Sequence, residues 1–222
     1  MAQTENPWSL LGPEGLQLSG RITAQATHEI KNCLAIIHEN AGLTGDLIAM
    51  AERRGEPLDP ARLAKLAMRI DEQVERANGV VQNLNRFAHL PDAPLAELDM
   101  AEHVALACAL HRRPAVLAQV ALEPGPAEGR LQSDPQLFHA LVSRALRRAL
   151  AAPGPDKRLT LSARPDGAGG VEVRVVGLDP AADHPAPDAA EQALRDALGA
   201  EWRVAGGDII INVHPLAAPA RA

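Results

Sequence analysis

A histidine near the start of the chain is the residue best placed to do chemistry. His28 is followed directly by the acid Glu29, and Asn32 lies four residues after His28. Residues four apart on a helix share one face, and Lys31 flanks that face. Imidazole is largely unprotonated near neutral pH and is then nucleophilic. A phosphoryl group received on His28 would find a cation in Lys31, while Glu29 is close enough to orient or deprotonate the imidazole.

Two other interpretations of the same residues are available. The zincin motif also begins with His-Glu, but it requires a second histidine four residues after the first. That position is Asn32, an amide and a poor zinc ligand, so the zinc interpretation fails. A solvated polar patch on a helix is the remaining alternative. Only the surrounding sequence favours a functional role over this alternative.

Composition excludes several classes of function. The 222 residues suffice for one or two domains, and the net charge of −6 comes without the basic tract that nucleic-acid binding requires. No apolar run is long enough to span a membrane, and residues 1–7 lack the layout of a signal peptide. Cys33 and Cys108 have no metal-ligand spacing and are expected to be small buried hydrophobes. We therefore expect a cytoplasmic protein that contacts neither nucleic acid nor membrane.

The first part of the chain predicts an antiparallel helical hairpin over residues 15–92. Residues 1–14 form a flexible lead-in that ends at Gly12-Pro13, and a helix then runs from about Leu16 to Arg54. After the break at 55–57, Asp59 caps a second helix that stops before Pro91. The apolar stripes are Ile22, Ala26, Ile30, Cys33, Ile37, Ala41 and Ile48, widened by Leu34, Leu43 and Leu47, and then Leu63, Leu66, Ala67, Ile70, Val74, Ala77, Val81, Leu84 and Phe87.

One hairpin offers too little partner surface to bury both stripes. Pairing two hairpins into a four-helix bundle solves this, so the pattern predicts a homodimer through helices 16–54 and 60–89. The alternative is that the hairpin packs on the rest of its own chain.

The composition changes after residues 91–94, which marks a domain boundary. Residues 95–216 alternate helical and strand patterns, which predicts an α/β sandwich and makes the whole chain α+β, with a short tail at 217–222. The predicted elements are a helix at 100–113, a strand at 115–122, a helix from Ser133 or Asp134 to about Ala152, strands at 159–163 and 171–175, a loop at 177–188, a helix at 189–199, and a hairpin of 202–204 with 209–213.

The run His28-Glu29-Ile30-Lys31-Asn32 resembles the H-box of two-component sensor kinases, which reads His-Glu-Ile/Leu-Arg/Lys-Asn-Pro-Leu. Cys33 stands where that family usually has proline. The resemblance implies a dimeric four-helix bundle in which His28 is phosphorylated and Glu29 assists the transfer. It also implies that Asn32 orients water when a response regulator is dephosphorylated. Helix geometry further suggests that Glu39 and Asn40 line the groove that holds a receiver domain.

The second part is similar to the family's ATP-binding domain in order of elements, but its nucleotide motifs differ. The family's N-box asparagines, which hold the metal, correspond to Arg144 and Arg148. A guanidinium has no lone pair to give to Mg²⁺. The Asp-x-Gly-x-Gly motif is replaced by residues 176–180, and no glycine-rich lid follows. These losses argue against ATP hydrolysis and autophosphorylation.

The combination resembles a histidine phosphotransferase, which carries phosphoryl groups between receiver aspartates. Such a protein has no cofactor of its own, because the receiver partner supplies Mg²⁺ and the acidic pocket. Two alternatives stay open: a non-catalytic regulator that sequesters a receiver or kinase, and a phosphatase of a response regulator that uses Asn32. A divergent but active kinase is a further alternative. Arg144, Arg147 and Arg148 could form an anion-binding patch, although a solvated helix face is the favoured interpretation.

Overall fold

The computed structural model describes residues 8–183 and 185–217 of an α+β chain. In chain order its elements are α1 (Trp8–Arg54), α2 (Pro60–Ala88), a short 3₁₀ helix (Leu90–Asp92), β1 (Ala96–Asp99), α3 (Met100–Leu117), β2 (Ala121–Ala127), β3 (Arg130–Ser133), α4 (Pro135–Ala151), β4 (Arg158–Pro165), β5 (Val171–Val176), α5 (Ala189–Leu198), β6 (Ala200–Ala205) and β7 (Asp208–Val213).

The chain divides into two compact units. Residues 22–85 form one, which we call the hairpin unit. The other, which we call the α/β unit, combines the described residues up to Arg21 with those from Arg86 onward. The division therefore cuts both long helices, so residues 8–21 of α1 and 86–88 of α2 belong to the α/β unit.

The hairpin unit consists of α1 and α2 running in opposite directions. Glu29 on α1 contacts Arg76 on α2, and Leu47 and Leu63 line one small cavity near the connecting residues. The side chain of Asp59 accepts hydrogen bonds from the backbone N–H groups of Ala61 and Arg62, at 3.0 and 3.3 Å. The predicted N-cap at Asp59 is thus confirmed, since it satisfies donors that a helix start leaves unpaired.

The buried stripe of the hairpin is narrower than the predicted one. Ile22, Ala26, Cys33 and Leu66 are buried. The outer members of both predicted stripes are exposed within this chain, namely Leu34, Ala41, Leu43 and Ile48 on α1 and Ala67, Val74 and Val81 on α2. One hairpin therefore leaves part of its apolar surface uncovered.

The α/β unit is a five-stranded mixed sheet covered by helices. Its strand order is β2-β4-β5-β7-β6, with β2 parallel to β4 and all other neighbours antiparallel. A separate antiparallel pair joins β1 to β3. Alternate residues of β4, β5 and β7, such as Leu159, Val173 and Ile211, are fully buried. Phe138 and Leu146 of α4 are also fully buried, so the core lies between α4 and the sheet.

The structure places several boundaries differently from the sequence prediction. Helix α1 begins at Trp8 and passes through Gly12-Pro13, where a helix start near Leu16 is predicted. Leu11, Glu14 and Leu18 are buried, and this burial stabilises the early turns. Pro13 is the sixth residue of α1 and has no backbone N–H, so the helix lacks one intrahelical hydrogen bond there. Residues 1–7 of the predicted lead-in and 218–222 of the predicted tail lie outside the described residues.

Within the α/β unit, α3 continues through Pro114 to Leu117, so β2 begins at Ala121 and not at 115 as predicted. The short strands β1 and β3 are not predicted from the sequence. Helices α4 and α5, the β4–β5 pair and the β6–β7 hairpin are confirmed. No helix among the described residues is both long and apolar enough to cross a bilayer.

Candidate functional site

The predicted phosphoacceptor lies on the outer surface of the hairpin unit. His28, Lys31 and Asn32 are all exposed on α1. Among the residues that the structure describes, none of their three side chains takes part in a hydrogen bond or an ion pair. The imidazole, the ammonium group and the amide are therefore all open to an incoming molecule from the same side of the helix.

Glu29 turns away from this exposed group. Its Oε1 accepts hydrogen bonds from Nη2 and Nε of Arg76, at 2.7 and 3.1 Å. The Glu29 side chain is only 12% exposed, whereas that of Arg76 is 43% exposed. Neighbouring residues on a helix do not face each other, so Glu29 reaches α2 while His28 points outward. In this conformation the acid expected to act on His28 is held by Arg76.

Three further positions of α1, in the H-box or after it, are now located. Glu39 is exposed on α1, as a receiver contact requires. Asn40 is buried and donates from Nδ2 to the Ile36 carbonyl at 2.7 Å, so it faces the hairpin interior and not a receiver groove. Cys33, in the place of the resembled family's proline, is 1% exposed, and α1 continues through it without interruption.

Arg144 is engaged in an ion-pair network inside the α/β unit. Its Nη2 lies 2.7 Å from Oε2 of Glu14, and its Nη1 lies 2.7 Å from Oδ2 of Asp188. The Glu14 side chain is only 6% exposed. Arg144 thus ties the start of α1 and the residue that caps α5 to the middle of α4.

Arg148, one turn further along α4, is held in the same manner. Its Nη2 lies 2.8 Å from Oε2 of Glu191, its Nη1 donates to the Pro185 carbonyl at 2.7 Å, and its guanidinium lies 5.4 Å from the centre of the Trp202 ring. Burial raises the pKa of Glu191. Arg147 between them is exposed. The solvated-face interpretation is therefore wrong for Arg144 and Arg148 and holds for Arg147.

Residues 176–180 stand in place of the resembled family's Asp-x-Gly-x-Gly motif. Backbone hydrogen bonds hold this segment in position. Gly177 has φ of 102°, and a side chain there would collide with the Arg158 carbonyl, so glycine is required. Leu178 donates to the Gly207 carbonyl at 2.8 Å, and Asp179 donates from its backbone to the Ala152 carbonyl at 3.0 Å. The carboxylate of Asp179 accepts the Ala181 N–H at 2.9 Å, so its Oδ1 already has a local partner.

Three histidines come together between α3 and α4. Nδ1 of His103 lies 2.9 Å from Nε2 of His139, and Nε2 of His111 lies 2.9 Å from Oγ of Ser143. Burial lowers the pKa of all three, most of all that of His139. The group of three is called the histidine cluster below. His184 lies outside the described residues.

The cysteines behave as predicted. Cys33 and Cys108 are both buried and free, and burial raises the pKa of the Cys108 thiol to about 12. Within the described ranges, no group of three or more histidine, cysteine or acidic side chains is arranged to hold a metal ion.

Sequence reasoning missed Arg76 and Glu14, the partners of two singled-out residues. Arg76 lies 47 residues from Glu29, and Glu14 lies 130 residues from Arg144. No local motif links such distant positions. Glu14 could have been considered as a partner only if α1 had been predicted to extend through Gly12-Pro13.

Comparison with solved structures finds matches at low sequence identity. The histidine kinase AdeS of Acinetobacter baumannii matches with a TM-score of 0.43 and 14% identity, over 84% of this chain and 97% of AdeS. Full-length ShkA, solved with AMPPNP, matches with 0.46 and 18%, over 86% of this chain and 48% of ShkA. A bacterial phosphotransferase matches with 0.42 and 14%, over 90% and 96%. No protein-family model matches the sequence, and no curated protein does either.

Proposed function

We propose that this chain is a histidine phosphotransferase, which exchanges a phosphoryl group between His28 and the aspartate of a response-regulator receiver domain. The observation that carries the proposal is the exposed, unengaged His28 on α1, with Lys31 and Asn32 beside it. Phosphoryl transfer between two proteins requires an acceptor that a partner can approach in line, and a side chain on a rigid helix meets that need.

The chemistry requires little from the helix. A ring nitrogen of His28 attacks the phosphorus of the aspartyl phosphate, the new P–N bond forms, and the P–O bond to the aspartate breaks. The aspartate leaves as a carboxylate. Lys31 can neutralise charge on the transferring phosphoryl group. The Mg²⁺ that offsets further charge belongs to the receiver partner.

Glu29 supports the transfer once it leaves Arg76. A carboxylate near the imidazole favours the charged ring that forms as the phosphorus is attacked. The pair with Arg76 is partly exposed, and such pairs contribute only about 0.2–1 kcal/mol. Docking of a receiver can therefore release Glu29 at small cost, so the acid assists when a partner is present.

Autophosphorylation from ATP is not part of the proposed function. Arg144 and Arg148 stand where the resembled kinases have their metal-binding asparagines, and both cations are committed to carboxylates of this chain. The nearest aspartate to the lost adenine motif, Asp179, bonds its own loop. These contacts favour an α/β unit whose role is structural support or docking.

A homodimer is part of the proposal. Leu34, Ala41 and Ile48 recur every seven residues on α1, as Ala67, Val74 and Val81 do on α2, and all six are exposed within one chain. A seven-residue apolar repeat keeps its members on one face of helices that pack in a bundle. A second hairpin would cover these rows and complete four helices.

Asn32 supports a second candidate function, a phosphatase of the response regulator. Its amide is exposed beside His28 and has no partner among the described residues. An amide in that position can orient a water molecule towards the aspartyl phosphate, and no phosphohistidine then forms.

A radiolabel experiment separates these functions. Receivers carrying labelled aspartyl phosphate are mixed with wild type, His28→Ala and Asn32→Ala, and each protein is also mixed with labelled ATP alone. Label that moves from a receiver to wild type and not to His28→Ala supports phosphotransfer. Free phosphate released by wild type and His28→Ala alike, but not by Asn32→Ala, supports the phosphatase. Label arriving from ATP contradicts the proposed inactivity of the α/β unit.

A further inference from the structure

The two edge strands of the five-stranded sheet differ in how open they are to another strand. Strand β2, at one edge, contains Pro124 and Pro126, and its register against β4 shifts between Pro124 and Ala127. Prolines and bulges are common means of preventing an edge strand from pairing with another chain. Strand β6, at the other edge, has no proline and stays in register with β7 along its whole length. It is therefore the edge that can accept a further strand.

The turn that follows β6 decides which of its backbone groups point away from the sheet. Its two glycines, at 206–207, have φ of 62° and 85°, as in a type I′ turn, so the closing pair of Ala205 and Asp208 is hydrogen-bonded. Hydrogen-bonded and non-hydrogen-bonded pairs alternate along an antiparallel ladder. The residues whose N–H and C=O groups point outward are therefore Ala200, Trp202 and Val204. Within the described residues, no other backbone hydrogen bond uses these groups.

The residues between these outward positions carry opposite charges. Glu201 and Arg203 are both exposed, and neither makes an ion pair or a side-chain hydrogen bond within the described part of the chain. They lie two residues apart on one strand, so both side chains stand on the same face of the sheet. An antiparallel strand of the same sequence presents these charges in reverse order, which makes the edge complementary to itself.

A second copy of β6 fits this edge in one register. The pairing has to place outward residues opposite each other, and centring it on Trp202 aligns Ala200 with Val204 at both ends. The same register places Glu201 of each copy opposite Arg203 of the other. Centring on Ala200 or Val204 overlaps fewer residues and brings no opposite charges together. The charges therefore specify both the partner and the register.

We propose that two copies of this chain associate through β6, paired antiparallel about Trp202, so that their sheets become continuous. Each aligned outward pair exchanges two backbone hydrogen bonds. The two Glu201–Arg203 pairs and the aromatic pair at Trp202 are favourable cross-strand pairs. Each copy contributes the same residues, so one two-fold axis relates them. This contact is separate from the apolar rows of the hairpin, and it does not depend on phosphotransfer.

Cysteine cross-linking tests the register in the full-length chain. Directly opposite residues bring their Cβ atoms to about 4.5–5.5 Å, whereas diagonal neighbours are about 7 Å apart, too far for a disulfide. Glu201→Cys is mixed with Arg203→Cys, one of them carrying a size tag, and the mixture is oxidised. The native Cys33 and Cys108 are buried and free, so they should not react in the folded protein. Glu123→Cys, an exposed position on β2, mixed with Arg203→Cys is the control.

We expect the mixture of Glu201→Cys and Arg203→Cys to cross-link about tenfold faster than either variant alone. The control mixture should give only background. Each variant cross-linking with itself as readily as with the other would overturn the pairing centred on Trp202. Cross-linking of the mixture no faster than the control would overturn the proposal as a whole.

Charge reversal gives a second measurement, in which sedimentation velocity follows self-association over a range of concentrations. Glu201→Arg or Arg203→Glu alone places like charges opposite each other twice and should weaken association about tenfold. The double variant places opposite charges together again and should recover the wild-type behaviour. Arg112→Glu, which changes an exposed arginine of α3, should have no effect.

The outcome of the charge reversal is specific to β6, because none of these variants alters the apolar rows of the hairpin. Equal association of wild type and both single variants would overturn the proposal. A double variant that associates no better than the single variants would also overturn it. Neither a receiver domain nor His28 takes part in these measurements, so their result is independent of the phosphotransfer test.

Discussion

The hairpin unit and the α/β unit place their charged side chains differently. On the outer face of the hairpin, His28 and Lys31 have no partners among the described residues, and Glu29 is held only by a partly exposed arginine. In the α/β unit, Arg144 and Arg148 are each fixed by a buried carboxylate. Exposed groups can change partners at little cost, whereas buried pairs cannot. This difference supports placing the proposed chemistry on the hairpin and a structural role on the α/β unit.

The largest expected effect is on the reactivity of the hairpin. His28→Ala should abolish phosphoryl acceptance from a receiver and leave the unfolding midpoint unchanged, because the side chain is exposed and unengaged. His38→Ala, another exposed histidine of α1, is the matched control and should accept label like wild type. Label retained by His28→Ala would break the assignment of chemistry to this face.

The next effect is on the rigidity of the α/β unit. Arg148→Asn should lower the free energy of unfolding by about 2–3 kcal/mol, since Glu191 would stay buried without its cation. The neighbouring Arg147→Asn removes the same charge from an exposed position and should cost less than about 0.5 kcal/mol. Urea unfolding monitored by circular dichroism compares them. Equal costs would show that the buried pair contributes no more than a surface charge.

Acid should destabilise the α/β unit through the histidine cluster. Burial lowers the folded-state pKa of His103, His111 and His139 below that of the unfolded chain, so the unfolded state binds protons first as pH falls. Their contribution is complete above the unfolded pKa near 6.5 and is lost progressively as the pH falls below it.

The matched variant for this effect is His139→Gln, which removes the most deeply buried member of the cluster. Its urea midpoint should depend less on pH than that of wild type over the same range. His89→Gln, which changes an exposed histidine, should keep the wild-type dependence. A wild-type midpoint that does not change with acid would contradict the role of burial.

The smallest expected effect on stability is at the Glu29–Arg76 pair. Arg76→Ala should cost about 0.5 kcal/mol, because the arginine is partly exposed. It should raise the rate of phosphoryl acceptance about two- to fivefold, since Glu29 is then free to reach His28. Arg69→Ala, an exposed arginine of α2, should change neither quantity. A slower rate in Arg76→Ala would mean that the pair promotes transfer and does not restrain it.

Features that depend on neighbouring residues could be predicted from the sequence. Contacts between residues far apart in the chain could not. Asp59 was recognised as a helix cap, and the start of α4 was narrowed to Ser133 or Asp134, of which the structure shows Asp134, because capping depends on a few adjacent residues. Strand β2 was predicted to begin too early, because Pro124 and Pro126 make its true sequence look unlike a strand. Prolines are tolerated in β2 because it is an edge strand.

The candidate site divides in the same way. The exposure of His28, Lys31, Asn32 and Glu39 follows from helical periodicity, and the structure agrees. The engagement of Glu29 by Arg76 does not follow, because the sequence does not state which residues of α2 lie opposite the H-box. Arg144 looked like a surface residue because its partner Glu14 lies in a stretch predicted to be flexible.

The buried pairs of α4 also restrict the routes by which this sequence can change. Replacing Arg144 by asparagine would leave Glu14 only its longer 3.6 Å pair with Arg21, and replacing Arg148 would leave Glu191 without an ion pair among the described residues, so each single change should give a less stable protein. Placing amides at these two positions of α4 would require the acids to change together with the arginines. The ion pairs therefore couple the positions they join: substitutions on the exposed surface are tolerated one at a time, whereas the arginines of α4 and their acids must change together.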